Sequence, residues 1–154
     1  KEVTLTFTEP RTLTVPGQYP DIHSAVSAAR THGDSIVVKS GTYRITQPIN
    51  FGGKAITLSS TNPDDPACVA ATVIDCDNED DPDLFGECRA FTYESGERND
   101  SIIDGFTIRN GKASKGGGIY CCASPSAEDH EWALRYFQRW EMLKPTVEEA
   151  IALL

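Results

Sequence analysis

Ile36-Val37-Val38-Lys39-Ser40-Gly41-Thr42-Tyr43 and, a step of 20 residues from Ile36, Ile56-Thr57-Leu58-Ser59-Ser60 decide the fold class. Each is a brief apolar or β-branched run that stops at small polar residues. The same texture extends outward from them. Pro48-Ile49-Asn50-Phe51 ends in Gly52-Gly53, and Ala71-Thr72-Val73-Ile74-Asp75 runs into an acidic stretch. Ala90-Phe91-Thr92-Tyr93 stops at Ser95-Gly96, Ser101 to Ile108 stops at Asn110-Gly111, and Gly118-Ile119-Tyr120-Cys121 follows. No two runs are joined by a two-residue hairpin turn, so a meandering antiparallel sheet is excluded. The connections lack the helices of ~10–15 residues that βαβ units need. A parallel solenoid fits, since it needs only brief strands, corners and a period of roughly 20–50 residues. The expected class is therefore mostly β, with about three turns encoded and later turns lengthened by loops.

A first turn exposes an apolar cross-section and open strand edges, which need a cover. The N-terminal stretch supplies one. Val3-Thr4-Leu5-Thr6-Phe7 and Thr12-Leu13-Thr14-Val15 alternate as strands, the second ending at the Pro16-Gly17 turn. Ile22, Ala25, Val26 and Ala29 then fall on one helical face, with Asp21 as N-cap and Gly33 as the expected stop. Residues up to about 33 thus read as a capping region with its helix.

After about residue 126 the texture becomes helical. Trp132, Ala133, Tyr136, Phe137, Trp140 and Leu143 form a broad apolar stripe before Pro145. Thr146 and Glu149 make a capping box, followed by the shorter stripe Val147, Ala150, Ile151 and Leu154. The expected division is residues 1–126 as the truncated solenoid and 127–154 as a helical tail. Such aromatics bury on the order of 150–250 Å² each, so the stripe must dock somewhere. Three occupants stay open: the truncated solenoid end, a second subunit, or a ligand on an aromatic platform.

The 154 residues suit one compact domain, or a small one with an appendage. A net charge of −9, from 23 acidic and 14 basic side chains, argues against nucleic acid or an anionic membrane as partner. It also disfavours an acidic polysaccharide unless a divalent cation bridges the charges. No apolar run approaches the ~18 residues of a membrane span. The chain begins at Lys1 without the basic and apolar regions of an export signal, so any such signal is expected to have been removed or never present. Five cysteines, Cys68, Cys76, Cys88, Cys121 and Cys122, include no CxxC pair and do not suggest structural zinc. Cys76 and Cys88 bracket a polar loop and would close it as a disulfide in an oxidising compartment. The alternative is that each is a small apolar residue stacked inside the solenoid.

Two stretches carry a family resemblance. Ile22-His23-Ser24-Ala25-Val26 followed by Ile36 to Tyr43 resembles the N-terminal cap and first rung of pectin-lyase-like proteins, pectin methylesterases among them. Val73-Ile74-Asp75-Cys76, Arg89-Ala90-Phe91, Ser95-Gly96-Glu97, Ile103 to Gly111 and Gly116-Gly117-Gly118-Ile119-Tyr120-Cys121 resemble large bacterial right-handed parallel β-helix repeat proteins. The resemblance covers roughly residues 12 to 126. It implies a right-handed parallel β-helix and an exported or cell-surface location. It says little of activity, since one fold hosts many. In such relatives the Gly-Gly-Gly-Ile-Tyr-Cys rung leads into further turns. Here Ala123-Ser124-Pro125-Ser126 begins that way and then departs into the tail.

Candidate chemistry is sparse. Asp75, Asp77, Glu79 and Asp81 alternate along an acidic loop and are the candidate calcium ligands, since calcium takes several oxygens. No glycine stands at the sixth position from Asp75 or Asp77, so the EF-hand pattern is unmet. Asp64-Asp65-Pro66 reads as a turn. Asp75 and Asp104, with Arg109 as a lyase-type base, are the candidate catalytic groups; paired carboxylates need to face one groove roughly 5–9.5 Å apart. Against this, Asp104 before Gly105 has the chemistry of a turn. The esterase branch of the resemblance places its aspartates and arginine on later rungs, past the point where this sequence leaves the repeat. His23, His32 and His130 are scattered, and Gly116-Gly117-Gly118 lacks the residues of a phosphate loop. The favoured expectation is a non-catalytic module, structural or carbohydrate-contacting, with Trp132, Tyr136, Phe137, Trp140, Leu143 and Ile151 capping the solenoid end or joining a second subunit. The alternative is a calcium-assisted polysaccharide lyase or carbohydrate esterase.

Overall fold

A computed structural model describes residues 9–76 and 88–122, all within the first of two units, Lys1–Cys122 and Ala123–Leu154. The expected strand at Val3 to Phe7, the loop acids Asp77, Glu79 and Asp81, and the stripe of Trp132, Tyr136, Phe137, Trp140, Leu143 and Ile151 lie outside the described residues. In chain order the elements are β1 (Thr12–Val15), α1 (Ile22–Ala28), β2 (His32–Val38), β3 (Gly41–Arg44), β4 (Ile49–Asn50) and β5 (Ala55–Ser60). There follow α2 (Pro66–Ala71), β6 (Thr72–Asp75), β7 (Phe91–Tyr93), β8 (Ile102–Asp104), β9 (Thr107–Arg109) and β10 (Ile119–Cys121).

Among the described residues the strands form three parallel sheets, ordered β1-β2-β5-β8, β3-β6-β9 and β4-β7-β10. From β2 onward the chain visits them in one fixed order, three times over: β2, β3, β4, then β5, β6, β7, then β8, β9, β10. The mostly-β expectation thus holds, in parallel sheets with few helices. Period-2 alternation explains the interior. In β2 and β5 every second residue is buried, and parallel register stacks like on like. Leu13 stands beside Ile36, Ile36 beside Leu58, and Leu58 beside Ile103, all four buried. In the third sheet Ile49 and Ile119 flank Phe91, and Phe51 meets Tyr93 edge-on at 5.5 Å between ring centroids.

The register corrects the expected step of 20. Ile36 pairs with Leu58 and Val37 with Ser59, a step of 22. Both steps are even, so the same side chains face inward under either one. At the start of β2 the step is longer still: His32 pairs with Ala55, a step of 23, and an irregularity before Ser35, which pairs with Thr57, brings it to 22. Gly33 sits there at φ +82, inside β2, and does not stop the helix as expected. α1 ends earlier, at C-cap Ala29, because Arg30 N–H turns away to Asp34 Oδ2 at 2.9 Å.

Other differences are local. Gly41-Thr42-Tyr43-Arg44, read as the end of a run, is a strand of its own that pairs with β6. Ser101 to Ile108 divides at Gly105 into β8 and β9. Asp64-Asp65-Pro66, read as a turn, starts α2: the Asp65 carboxylate accepts from Ala67 N–H at 3.0 Å and Pro66 opens the helix. The N-cap at Asp21 is as expected, its side chain accepting from Ser24 N–H at 2.7 Å.

α1 buries Ile22, Ala25 and Val26 and packs against β1, β2 and β4. Its C-terminal carbonyls are met by side chains from elsewhere in the chain. Lys54 Nζ donates to Val26 O at 2.6 Å and Ser27 O at 3.1 Å, and Arg11 Nη2 donates to Ala28 O at 3.0 Å. The firmest polar anchor is Asp34, which is 1% exposed. It accepts from Arg11 N, Nε and Nη2 and from Arg30 N, joining the segment before β1, the end of α1 and the start of β2.

Candidate functional site

Asp75 ends β6 and Arg109 ends β9, and parallel pairing makes them direct cross-strand neighbours. The guanidinium donates to Asp75 Oδ2 through Nε at 3.0 Å and Nη2 at 2.7 Å. Asn110, in the left-handed region at φ 57, turns its amide onto the other oxygen, with Nδ2 to Oδ1 at 2.7 Å. The Asp75 side chain is 10% exposed and that of Arg109 is 52%, so the ion pair straddles the surface. Two of the three candidate catalytic groups are therefore together, but engaged with each other. Both carboxylate oxygens receive donors from the next strand, which is the geometry of a clamp between layers.

Asp104 is placed differently. It ends β8, in the sheet that contains β2 and β5, opposite Ser59. Asp75 and Arg109 belong to the sheet of β3, β6 and β9. The pairing of Asp75 with Asp104 on one sheet face, which a two-carboxylate mechanism invites, does not occur. Gly105 follows at φ +79, and a Cβ there would lie 2.6 Å from Pro63 Cβ and 2.7 Å from Pro63 Cα. This corner closes over the loop after β5 and admits no side chain at that position. Among the described residues no group of three or more His, Cys, Asp or Glu side chains could hold a metal ion. Of the four loop acids proposed for calcium, Asp75 alone is described, and it is the one clamped by Arg109 and Asn110.

Two polar roles escaped the sequence reading. Glu97, within Ser95-Gly96-Glu97, accepts from Gly53 N–H through Oε1 at 3.0 Å and from Ser95 N–H through Oε2 at 2.8 Å. Asn50 Oδ1 accepts from Gly52 N–H at 2.6 Å and from the Ser95 hydroxyl at 3.2 Å. Together they bind the corner after β4 to the corner after β7, and a Cβ on Gly53 would lie 2.8 Å from Ser95 O. The Ser-Gly-Glu triplet is thus an inter-corner staple, as Asp75-Arg109 is an inter-strand one. Arg89 adds a cation–π contact, 4.7 Å from the Tyr120 ring centroid.

Comparison with protein-family models, curated proteins and solved structures found no match. Among the described residues no helix is long and apolar enough to cross a membrane.

Proposed function

We propose that the first unit is a right-handed parallel β-helix of three turns, acting as a non-catalytic module that is structural or contacts carbohydrate. The threefold cycle through three parallel sheets supports the helical winding, since each return to a sheet is a parallel crossover. Such crossovers are almost always right-handed in proteins. α1, lying across β1, β2 and β4 with its apolar face down, supports an N-terminal lid.

One observation carries the non-catalytic reading: Asp75 and Arg109 satisfy each other across β6 and β9, with Asn110 on the remaining oxygen. A carboxylate so engaged is a structural tie, and a substrate would have to break it before using either group. On this reading the module is exported or surface-attached. Residues 127–154 provide its self-association, through Trp132, Tyr136, Phe137 and Trp140. The competing reading is the calcium-assisted lyase or esterase.

Titration calorimetry of the full chain against a panel of neutral and acidic polysaccharides, with and without calcium, tests the proposal alongside an ultraviolet assay for unsaturated product. Binding without turnover, or neither, is expected. Release of product absorbing in the ultraviolet, lost in Arg109→Met, overturns the non-catalytic reading. Light scattering gives the oligomeric state, and a monomer at all concentrations overturns self-association.

A further inference from the structure

Cys76 and Cys88 are separated by eleven residues in sequence, yet the backbone of each is bonded to one short stretch, Cys76 to Arg109 and Cys88 to Lys112. Cys76 directly follows β6, and its N–H donates to Arg109 O at 3.1 Å. Ile45 N–H donates to Asp75 O at 2.9 Å, so Ile45 runs alongside Cys76 in the adjoining layer. Cys88 is fixed by a two-bond antiparallel bridge to Lys112, at 2.7 and 2.8 Å, and its Sγ lies 3.8 Å from Ile45 O. Cys88 Sγ thus lies against Ile45, whose backbone is bonded to Asp75, the residue before Cys76. Both cysteines are buried, at 2% and 4% exposure. They are also electrostatic neighbours: burial first, then the charge and hydrogen bond of Cys88, push the Cys76 thiol up to about 12.

We propose that Cys76 and Cys88 form a structural disulfide when the chain folds in an oxidising environment. The polar contacts given up are weak, since a thiol is a poor donor and the Cys88 Sγ contacts to Ile45 O and Arg89 O are 3.8 and 3.7 Å long. Ile74 and Ala90, two residues from Cys76 and Cys88 in sequence, are buried, as is Ile45, while the adjoining Asp75 carboxylate is tied to Arg109 and Asn110. The other three cysteines sit apart from this pair. Cys68 is in α2 with its sulfur 3.2 Å from Thr61 Oγ1, and Cys121 and Cys122 are exposed.

The chemistry is thiol–disulfide exchange with an external disulfide, glutathione disulfide or that of a dithiol oxidoreductase. One cysteine thiolate attacks a donor sulfur, and the second displaces it from the mixed disulfide. The pair loses two protons and two electrons, and the donor leaves as two thiols. Exchange needs thiolate and access. The folded, buried pair offers little of either, so the bond forms before the layer closes and is shielded afterwards. This makes it a permanent cross-link and not a redox switch.

The test is oxidative refolding of the full chain. Reduced, denatured protein is refolded in a glutathione and glutathione disulfide buffer, residual thiols are blocked after denaturation, and cross-linked peptides are mapped by mass spectrometry. The expected dominant species joins Cys76 to Cys88. Closing a loop of this length should raise Tm by about 10 °C over the reduced protein. C68S/C121S/C122S, changed only at partly or fully exposed positions, should give the same link, and the wild-type map decides if that variant does not fold. Recovery of Cys76 and Cys88 mainly as alkylated thiols, or mainly linked to other cysteines, overturns the proposal. So does a cross-linked protein no more stable than the reduced one.

Discussion

Replacing Asp34 with Asn tests whether the start of the first sheet depends on one buried carboxylate. Burial alone would push that carboxyl up. The hydrogen bonds from the Arg11 side chain, Arg30 N–H and Arg11 N–H, with the Arg11 charge, outweigh it and hold the group well below the usual carboxylate range. Oδ1 takes Arg11 N–H at 2.9 Å; Oδ2 takes Arg11 Nε at 3.1 Å, Arg11 Nη2 at 2.6 Å and Arg30 N–H at 2.9 Å. An amide fits the same space, yet in either orientation its NH2 meets at least one donor. Breaking a buried ion pair from one side costs about 3–5 kcal/mol. The Arg11 side chain is 39% exposed, so water recovers part of its charge and the lower end, about 3 kcal/mol, is expected. For a chain of this size that is a fall in Tm of roughly 6–12 °C at pH 7. The pH dependence has a definite sign. A depressed folded value means that the stabilisation is complete above the unfolded value of about 3.9 and is lost as pH falls below it. The Tm gap between wild type and Asp34→Asn should therefore be widest at neutral pH and narrow below about pH 4. Scanning calorimetry at pH 7, 4 and 2.5 reads both effects. A gap under 2 °C at pH 7, or one unchanged down to pH 2.5, refutes the reasoning.

Three further outcomes follow from the geometry. Arg109→Met strips two hydrogen bonds from Asp75, but with Arg109 half in water and Asn110 still in place the loss should be only about 1–2 kcal/mol in urea unfolding. A loss above 4 kcal/mol would mean that the clamp matters far more than its exposure allows. Gly105→Ala combines a positive φ with Cβ contacts at 2.6 and 2.7 Å to Pro63, and should cost about 2–4 kcal/mol; a cost below 0.5 kcal/mol would contradict the corner. Asp21→Ala removes the cap on Ser24 N–H and should cost about 1 kcal/mol, with Asp21→Ser restoring most of it.

The elements that sequence reading recovers are those whose signal is local and periodic. Asp21 followed by apolar residues at positions 22, 25, 26 and 29 fixes α1 and its buried face. The alternation in Ile36-Val37-Val38 and Ile56-Thr57-Leu58 fixes which residues are inside. Register is another matter, because a step of 20 and a step of 22 bury the same side chains, and only the strand pairing itself selects between them. β3 hides because Gly41-Thr42-Tyr43-Arg44 is partly exposed and has turn composition; its pairing to β6 is non-local. α2 was legible in principle, since Asp65 followed by Pro66 is an N-cap followed by proline at the first helical position.

The polar residues divide the same way. Asp75 and Arg109 stand out in sequence as chemical groups, yet 34 positions separate them, and only the β6–β9 register reveals that they neutralise each other. Asp34 and Glu97 look like ordinary turn acids. Their importance comes from donors brought in by distant segments beside the local ones, Arg11 for Asp34 and Gly53 for Glu97.

The column Leu13, Ile36, Leu58, Ile103 carries a consequence for how the molecule comes apart. Interior members touch a neighbour above and below, whereas Ile103 has a column neighbour among the described residues only on the Leu58 side. Stability in such a stack is a nearest-neighbour sum, so opening starts at the end and proceeds like fraying. Amide exchange should be slowest in β2 and β5, where two ladders hold each strand. It should quicken through β8, turning a row of similar strands into a graded clock of local opening.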